Sequence, residues 1–369
     1  MNGSLRLRIT DIEAIPISVP SRGFNSALGR FATYEYGIVI VRTDEGIEGY
    51  GEISTLWDGA SGVQCAFVEC AFRGALTGED PLAINRCLKK MDTPFEGAWP
   101  ARAAVEMALY DIAGKALNTP VHTLLGGRTR ERIVLSRSLS MASPAEMATE
   151  ARQVVEEGFT CVKVKVGRPG KDDTEAVAAV RDAIGPDVLL RVDANMGWPT
   201  PKDAIRHIKA MEPYAIHSVE QPLPPIDVDA LKLVRQSVDT PIMVDESVWG
   251  PRDAWEILRA EAADILNIYV AESGGLTNAS LIFRMAEVAG VPCVIGAMPE
   301  LGIGTAAAVH LGVAMSNLHD PCDACGVIYH DVDIVRERFV VRDGCIWPLE
   351  GPGLGVTLDY DQLDRFRRS

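Results

Sequence analysis

The residues of this chain that could do chemistry sit in four short segments. These are Cys161-Val-Lys-Val-Lys-Val-Gly167, Leu189-Leu-Arg-Val-Asp-Ala-Asn195, His217-Ser-Val-Glu-Gln-Pro222 and Pro241-Ile-Met-Val-Asp-Glu-Ser247. Each is an apolar run of strand-forming residues that ends in charged side chains. The carboxylates Asp193, Glu220 and Asp245 recur at spacings of 27 and 25 residues, the length of one strand, one helix and two loops. A parallel barrel brings side chains at such spacings to one rim. Three carboxylates in one site repel one another unless a cation neutralises them. Oxygen donors without His or Cys select Mg²⁺, with Mn²⁺ as a substitute.

Lys163 and Lys165 are two residues apart and so share one face of their strand, the inside of a barrel. Inward lysines are costly without a partner or a task. Beside a divalent cation and each other, they lose proton affinity, and one becomes available as a base. Lys165 is the candidate base. Lys163 would depress its pKa and help hold a substrate carboxylate, or would form an ion pair with a metal ligand. A metal and a lysine base suit removal of the proton adjacent to a carboxylate, which leaves an ene-diolate.

The elements that must position these residues begin near residue 132. Strands starting near 132, 161, 189, 217, 241, 265, 292 and 321 alternate with helical segments, the pattern of a closed (β/α) barrel. Ser143-Pro-Ala-Glu146 reads as a helix start with a capping box and Pro at the first helical position. Thr200-Pro-Lys-Asp203 and Gly250-Pro-Arg-Asp253 start helices in the same way. Residues 1 to about 55 read as antiparallel β, with Asp44-Glu-Gly46 as a turn. Residues 62 to 118 read as helices. Within 101–117, apolar residues at 105, 108, 109, 112 and 116 form a stripe, and Asn118-Thr-Pro120 stops it. Two Gly- and Ser-rich loops, near 21–31 and 54–61, carry Phe24 and Trp57 and could form a substrate lid. Gly351-Pro-Gly-Leu-Gly355 is followed by no helix, which speaks against a dinucleotide site.

The net charge of −15 argues against nucleic acid as a partner. No apolar run approaches the ~20 residues of a membrane helix. The first residues lack a signal-peptide core, so the expected location is cytoplasmic. Of the eight cysteines, most lie in apolar runs and read as buried thiols. Cys322-Asp-Ala-Cys325 has metal or redox spacing but no second pair, and reads as structural.

The chain resembles the enolase superfamily, in particular the mandelate racemase/muconate lactonizing enzyme family and its lactonizing-enzyme subgroup. The resemblance rests on Ala101–Gly127, Lys163-Val-Lys165, Asp193-Ala-Asn195, Glu220-Gln-Pro222, Asp245-Glu246, Ser273-Gly-Gly275 and Glu300-Leu-Gly-Ile-Gly304. It implies a modified (β/α)₇β barrel of the TIM type over 128–340, an α+β capping domain over 1–127 and a C-terminal segment, 341–369, returning to that cap. It also implies Mg²⁺ on Asp193, Glu220 and Asp245, and a homo-oligomer. Asn195, Glu246, Tyr269 and Glu300 complete the candidate substrate contacts.

One departure stands out. In the subgroup a second catalytic lysine usually precedes the Ser/Asn-Gly-Gly motif, and another frequent lysine lies three residues earlier. Here these positions hold Glu272 and Tyr269. Glu272 could act as an acid, bind a cationic group of the substrate, or form a salt bridge to Lys163 or Lys165. The leading expectation is a Mg²⁺-dependent lyase or isomerase that uses Lys165 on a small carboxylate, by dehydration or cycloisomerisation. The alternatives are a racemase or epimerase of an amino-acid or dipeptide-like substrate using Lys165 and Glu272, and a non-catalytic metal-binding relative.

Overall fold

The computed structural model describes residues 6–23, 25–26, 29–30, 32–55, 60–92, 98–168, 173–225 and 227–368. The N-terminal part is an antiparallel meander of β1 (Ile9–Pro20), β2 (Thr33–Thr43) and β3 (Glu48–Ser54), with β2 in the middle. The turn between β2 and β3 uses Gly46 at φ +76°. Helices α1 (Ala60–Phe67), α2 (Ile84–Met91) and α3 (Trp99–Leu117) follow. Phe24 and Trp57, the tips of the expected lid loops, lie outside the described residues.

Helix α3 differs from the single apolar stripe read from the sequence. It is buried nearly all round, including Arg102, Glu106 and Asp111, because β3 covers one side and the C-terminal part of the chain the other. Gly51 makes the first contact possible, since a Cβ there would lie 1.8 Å from the Ala104 carbonyl oxygen. Asp111 accepts hydrogen bonds from the backbone N–H of Tyr50 (3.0 Å) and of Leu354 (2.9 Å), so a buried acid ties the sheet, the helix and the C-terminal segment together.

Seven parallel strands in chain order form the barrel wall. They are β4 (Arg137–Leu139), β5 (Cys161–Lys165), β6 (Leu189–Asp193), β7 (Ser218–Glu220), β8 (Ile242–Val244), β9 (Ile265–Ile268) and β10 (Cys293–Ile295). Two boundaries differ from the sequence reading. The stretch 132–140 is not one strand: Ile133–Val134 pairs antiparallel with Cys345–Ile346, and Arg137–Leu139 is the part that forms a strand of the parallel sheet. The eighth position is no regular strand either. Residues 317–323 close the barrel through isolated parallel bridges, Cys293 with Leu318 and Leu135 with Cys322. Pro321 has no N–H to continue a ladder there.

The helix starts match their sequence signals. Ser143 and Glu146 form the reciprocal capping box of α4 (Pro144–Glu156), and the Thr200 side chain caps α6 (Pro201–Met211), α5 being Asp173–Ile184. Helices α7 (Val228–Ser237), α8 (Pro251–Ala260), α9 (Leu276–Ala289) and α10 (Gly302–Ala314) complete the outer layer. The last helix, α11 (Tyr360–Phe366), precedes a return to the N-terminal sheet, where Arg368 N–H donates to the Pro16 carbonyl at 2.9 Å. All eight cysteines are free, and only Cys70 is exposed. No helix among the described residues is long and apolar enough to cross a membrane.

His310 on α10 is fully buried, and its Nε2 lies 3.2 Å from the Leu354 carbonyl. Burial pushes its pKa down to about 4. The unfolded chain therefore binds a proton that the folded chain refuses, and stability falls as pH drops from about 6.5 toward 4, by up to roughly 3 kcal/mol. His310→Gln should flatten that dependence. Thermal melts of both proteins between pH 7.5 and 5 will show the wild type losing more, and parallel curves would refute this.

Candidate active site

Strand register brings the charged ends together. Lys165 is opposite Asp193, Asp193 is opposite Glu220, and Glu220 is opposite Met243, two residues before Asp245. These side chains, with Arg191, Asn267 and Tyr269, fill the carboxyl end of the barrel. Gln221 clamps the ends of β7 and β8, because its Oε1 accepts from the N–H of Asp245 (2.9 Å) and of Ser247 (3.2 Å).

Lys163 is buried deep in the ring. Its Nζ lies 2.6 Å from Asp323 Oδ2 and 3.3 Å from Glu220 Oε1 and from Asp193 Oδ2. Burial alone would lower its pKa, but Asp323, Glu220 and Asp193 outweigh this and hold it charged. Lys165 sits higher, at the rim. Its Nζ is 2.5 Å from Asp193 Oδ2 and donates to Asn195 Oδ1 at 2.9 Å. Burial opposes ionisation of Asp193, yet Lys165 and Lys163 keep its carboxyl well below the usual range.

Arg191 is a second buried cation. Its Nη2 donates to Glu220 Oε2 at 2.7 Å and lies 3.2 Å from Asp323 Oδ2. Asp323 is held down to about 2, since Arg191 and Lys163 overcome the effect of burial. Sequence reasoning missed Arg191 and Asp323. The first had a signal, because Arg191 is two residues before Asp193 and so on the same strand face. The second lay inside Cys322-Asp-Ala-Cys325, where the thiols drew the attention.

The other side of the ring is acidic and short of partners. Asp245 Oδ2 accepts from the Tyr269 hydroxyl at 2.8 Å. Burial, then repulsion from Glu246, Glu220, Glu272 and Asp193, pushes Asp245 far above the usual carboxylate range. Glu246 accepts from Asn195 Nδ2 at 3.1 Å, and burial with the charge of Asp193 raises it to about 7. Glu300 accepts from the Met298 N–H at 2.9 Å and is raised by burial to about 7. The salt bridge considered for Glu272 does not form: among the described residues neither of its oxygens has a hydrogen-bond partner, and both lysines are engaged elsewhere.

The turn that carries Glu272 is fixed from the N-terminal part. Glu106 of α3 accepts from Thr277 N–H at 2.8 Å, and Arg102 donates to the Gly274 carbonyl. Gly275 stands at φ +123°, and a Cβ there would lie 1.7 Å from Glu106 Oε2. Gly275→Ala should therefore destabilise the fold by roughly 1–3 kcal/mol or more. Chemical denaturation will measure it, and an unchanged midpoint would contradict this docking.

Among the described residues, no three His, Cys, Asp or Glu side chains are drawn close enough to hold a metal ion as they stand, since Asp193 and Glu220 turn to the lysines and Arg191. The donor set nevertheless fits a hard divalent cation: three buried carboxylates at adjacent strand ends, and an acid surplus that leaves Asp245 with one hydroxyl partner.

The comparisons with known proteins agree with this geometry. A family model described as enolase C-terminal domain-like matches residues 146–362. The model of the mandelate racemase/muconate lactonizing enzyme N-terminal domain matches residues 10–126. The chain belongs to the mandelate racemase/muconate lactonizing enzyme family. Within that family it is 32% identical to the N-succinyl-L-Arg/Lys racemase of Bacillus cereus over 97% of each chain. The crystal structure of that racemase superposes with a TM-score of 0.93 over 98% of both chains. The Enterococcus faecalis dipeptide epimerase complexed with Mg and the dipeptide L-Leu-L-Tyr matches at 33% identity and TM-score 0.87, covering 95% of this chain and 99% of that one. The muconate lactonizing enzyme of Pseudomonas fluorescens, complexed with muconolactone, matches at 29% identity and TM-score 0.94, covering 98% and 99%. The protein is thus an enolase-superfamily enzyme, and the non-catalytic alternative is set aside. Members of this superfamily use Mg²⁺.

Proposed function

We propose that this enzyme removes the proton adjacent to a substrate carboxylate with Lys165 and, having one lysine base, completes an elimination or a cycloisomerisation. The observation that carries the reading is the pair of facts at the rim. Lys165 is held by Asp193 and Asn195 at hydrogen-bond distance, while the sixth strand and its turn offer Tyr269 and Glu272 where the subgroup's lysines are expected. A tyrosine whose pKa is raised by burial and by Asp245 does not serve as a base near neutral pH.

Asp193, Glu220 and Asp245 would hold Mg²⁺ or Mn²⁺. When bound, the cation supplies charge that binds the substrate carboxylate and makes the adjacent C–H bond more acidic. Lys165 takes the proton at Nζ. Asn195 orients Lys165, and Lys163 with Arg191 balances the charge beneath the ring. Tyr269 steadies Asp245.

A second reading is epimerisation, favoured by the likeness to a racemase and a dipeptide epimerase and by Glu272. Burial, then Glu246 and Glu300, push that carboxyl up strongly, and a protonated acid can return a proton to the other side of the carbon. Proton NMR in D₂O with Mg²⁺, against amino acids, dipeptides, hydroxy acids, sugar acids and muconates, decides between them. Loss of an α-proton signal with new olefinic or keto-acid signals supports elimination. Exchange with inversion and no new carbon skeleton replaces it with epimerisation.

A further inference from the structure

Glu272 is 1% exposed, and neither of its oxygens has a partner among the described residues. The neighbouring acid Glu246 spends Oε1 on Asn195, and its Oε2 is also without a partner. Buried polar atoms are nearly always satisfied, and orphans on adjoining carboxyls need an explanation. The internal cations do not supply one. Lys163 and Arg191 are committed to Asp323 and Glu220, and Lys165 to Asp193 and Asn195. Neither Glu272 nor Glu246 is among the three carboxylates that would hold a divalent ion, Asp193, Glu220 and Asp245.

We propose that Glu272 and the free oxygen of Glu246 form a subsite for a protonated amine of the substrate, so that the substrate is an amino acid with an unblocked amine. An ammonium carries three N–H donors, and the two side chains present three unpartnered oxygens. Asn195 links this subsite to the base: its Oδ1 accepts from Lys165 at 2.9 Å, and its Nδ2 donates to Glu246 at 3.1 Å. A substrate nitrogen held there stands near the carbon whose proton Lys165 removes, and a cationic nitrogen makes that proton more acidic. Burial and repulsion from Glu246 and Glu300 raise the Glu272 carboxyl, and a positive group among these acids removes the repulsion. The inference rests on the reading of Lys165 as base toward a carboxylate substrate. It excludes N-acylated amino acids and muconates as preferred substrates.

The test uses the full chain with MgCl₂ and a panel of free amino acids of both configurations, their N-acetyl derivatives and the matched 2-hydroxy acids. Thermal shift reads binding, and α-proton exchange in D₂O reads chemistry. At least one free amino acid should raise the melting temperature and bind about tenfold or more tightly than its N-acetyl and hydroxy counterparts. Glu272→Gln should erase that preference. Glu272→Leu should erase it too, while raising the unliganded melting temperature, which shows that the fold is kept. Lys165→Ala should keep the shift and lose the exchange. A panel in which no free amine binds, N-acetyl compounds that bind equally, or a preference that survives Glu272→Gln overturns the subsite. Exchange that survives Lys165→Ala instead defeats the base reading and leaves the binding result standing.

Discussion

Replacing Lys165 by alanine is expected to lower α-proton exchange by about 10²- to 10⁴-fold, the usual contribution of a positioned base, while Mg²⁺ still raises the melting temperature. Lys165 differs from Lys163 in what surrounds it. Lys163 faces Asp323, Glu220 and Asp193 from below, where it serves as a fixed counter-charge. Lys165 has one carboxylate, Asp193, and a neutral amide oxygen, and it sits at the rim, more exposed than Lys163. Removing it takes a cation from beside Asp193, so Mg²⁺ affinity should hold or improve. Lys165→Arg separates charge from proton transfer, because arginine keeps the positive charge but does not deprotonate in proteins. It should fail as completely as alanine. By contrast Lys163→Ala leaves Arg191 as the one cation beside Asp323 and Glu220 among the described residues and should destabilise the fold by about 3–5 kcal/mol. Exchange rates and melting curves of the three variants separate base from counter-charge. A Lys165→Arg enzyme with wild-type exchange would remove Lys165 from the chemistry.

The ring of Lys165, Asp193, Glu220 and Asp245 was legible in the sequence because parallel strands convert regular spacing into a common rim. Lys163 and Lys165 announced their shared face by a spacing of two. The closing of the barrel was less legible. A proline at 321 and short bridges replace the eighth strand, and their geometry is set by Ile133–Val134 leaving the barrel to pair with Cys345–Ile346, a partner more than 200 residues away. Helix α3 read as amphipathic because its small residues are as compatible with contact to Gly49 and Gly51 as with solvent. Asp323 was hidden for a different reason. A lone carboxylate between two cysteines becomes a counter-ion only when the chain closes the barrel and sets it beside Lys163 and Arg191. That Glu272 has no partner among the described residues could not be read at all, since it depends on where two lysines point.

Asp245→Asn should reverse the order of stabilities between metal-free and metal-loaded protein. Without divalent ions, Asp245 is buried, accepts one side-chain hydrogen bond, from Tyr269, and is repelled by Glu246, Glu220, Glu272 and Asp193. Asparagine keeps an oxygen for that hydroxyl and sheds the repulsion, so in a chelator the variant should melt above the wild type. With Mg²⁺ the wild type gains free energy by mass action, about 2.7 kcal/mol at a hundredfold excess over the dissociation constant. The variant, one carboxylate short, should gain far less and melt below the wild type. The crossing is diagnostic, because a merely structural Asp245 would give curves displaced by the same amount with and without the ion. If the variant responds to Mg²⁺ as the wild type does, Asp245 is no ligand. If the wild type responds to neither Mg²⁺ nor Mn²⁺, the three-carboxylate site fails as a whole. A crossing would tie the strain of the acidic side of the ring to its use: the crowded carboxylates around Asp245 would then be tolerated because a metal ion arriving from outside relieves their repulsion.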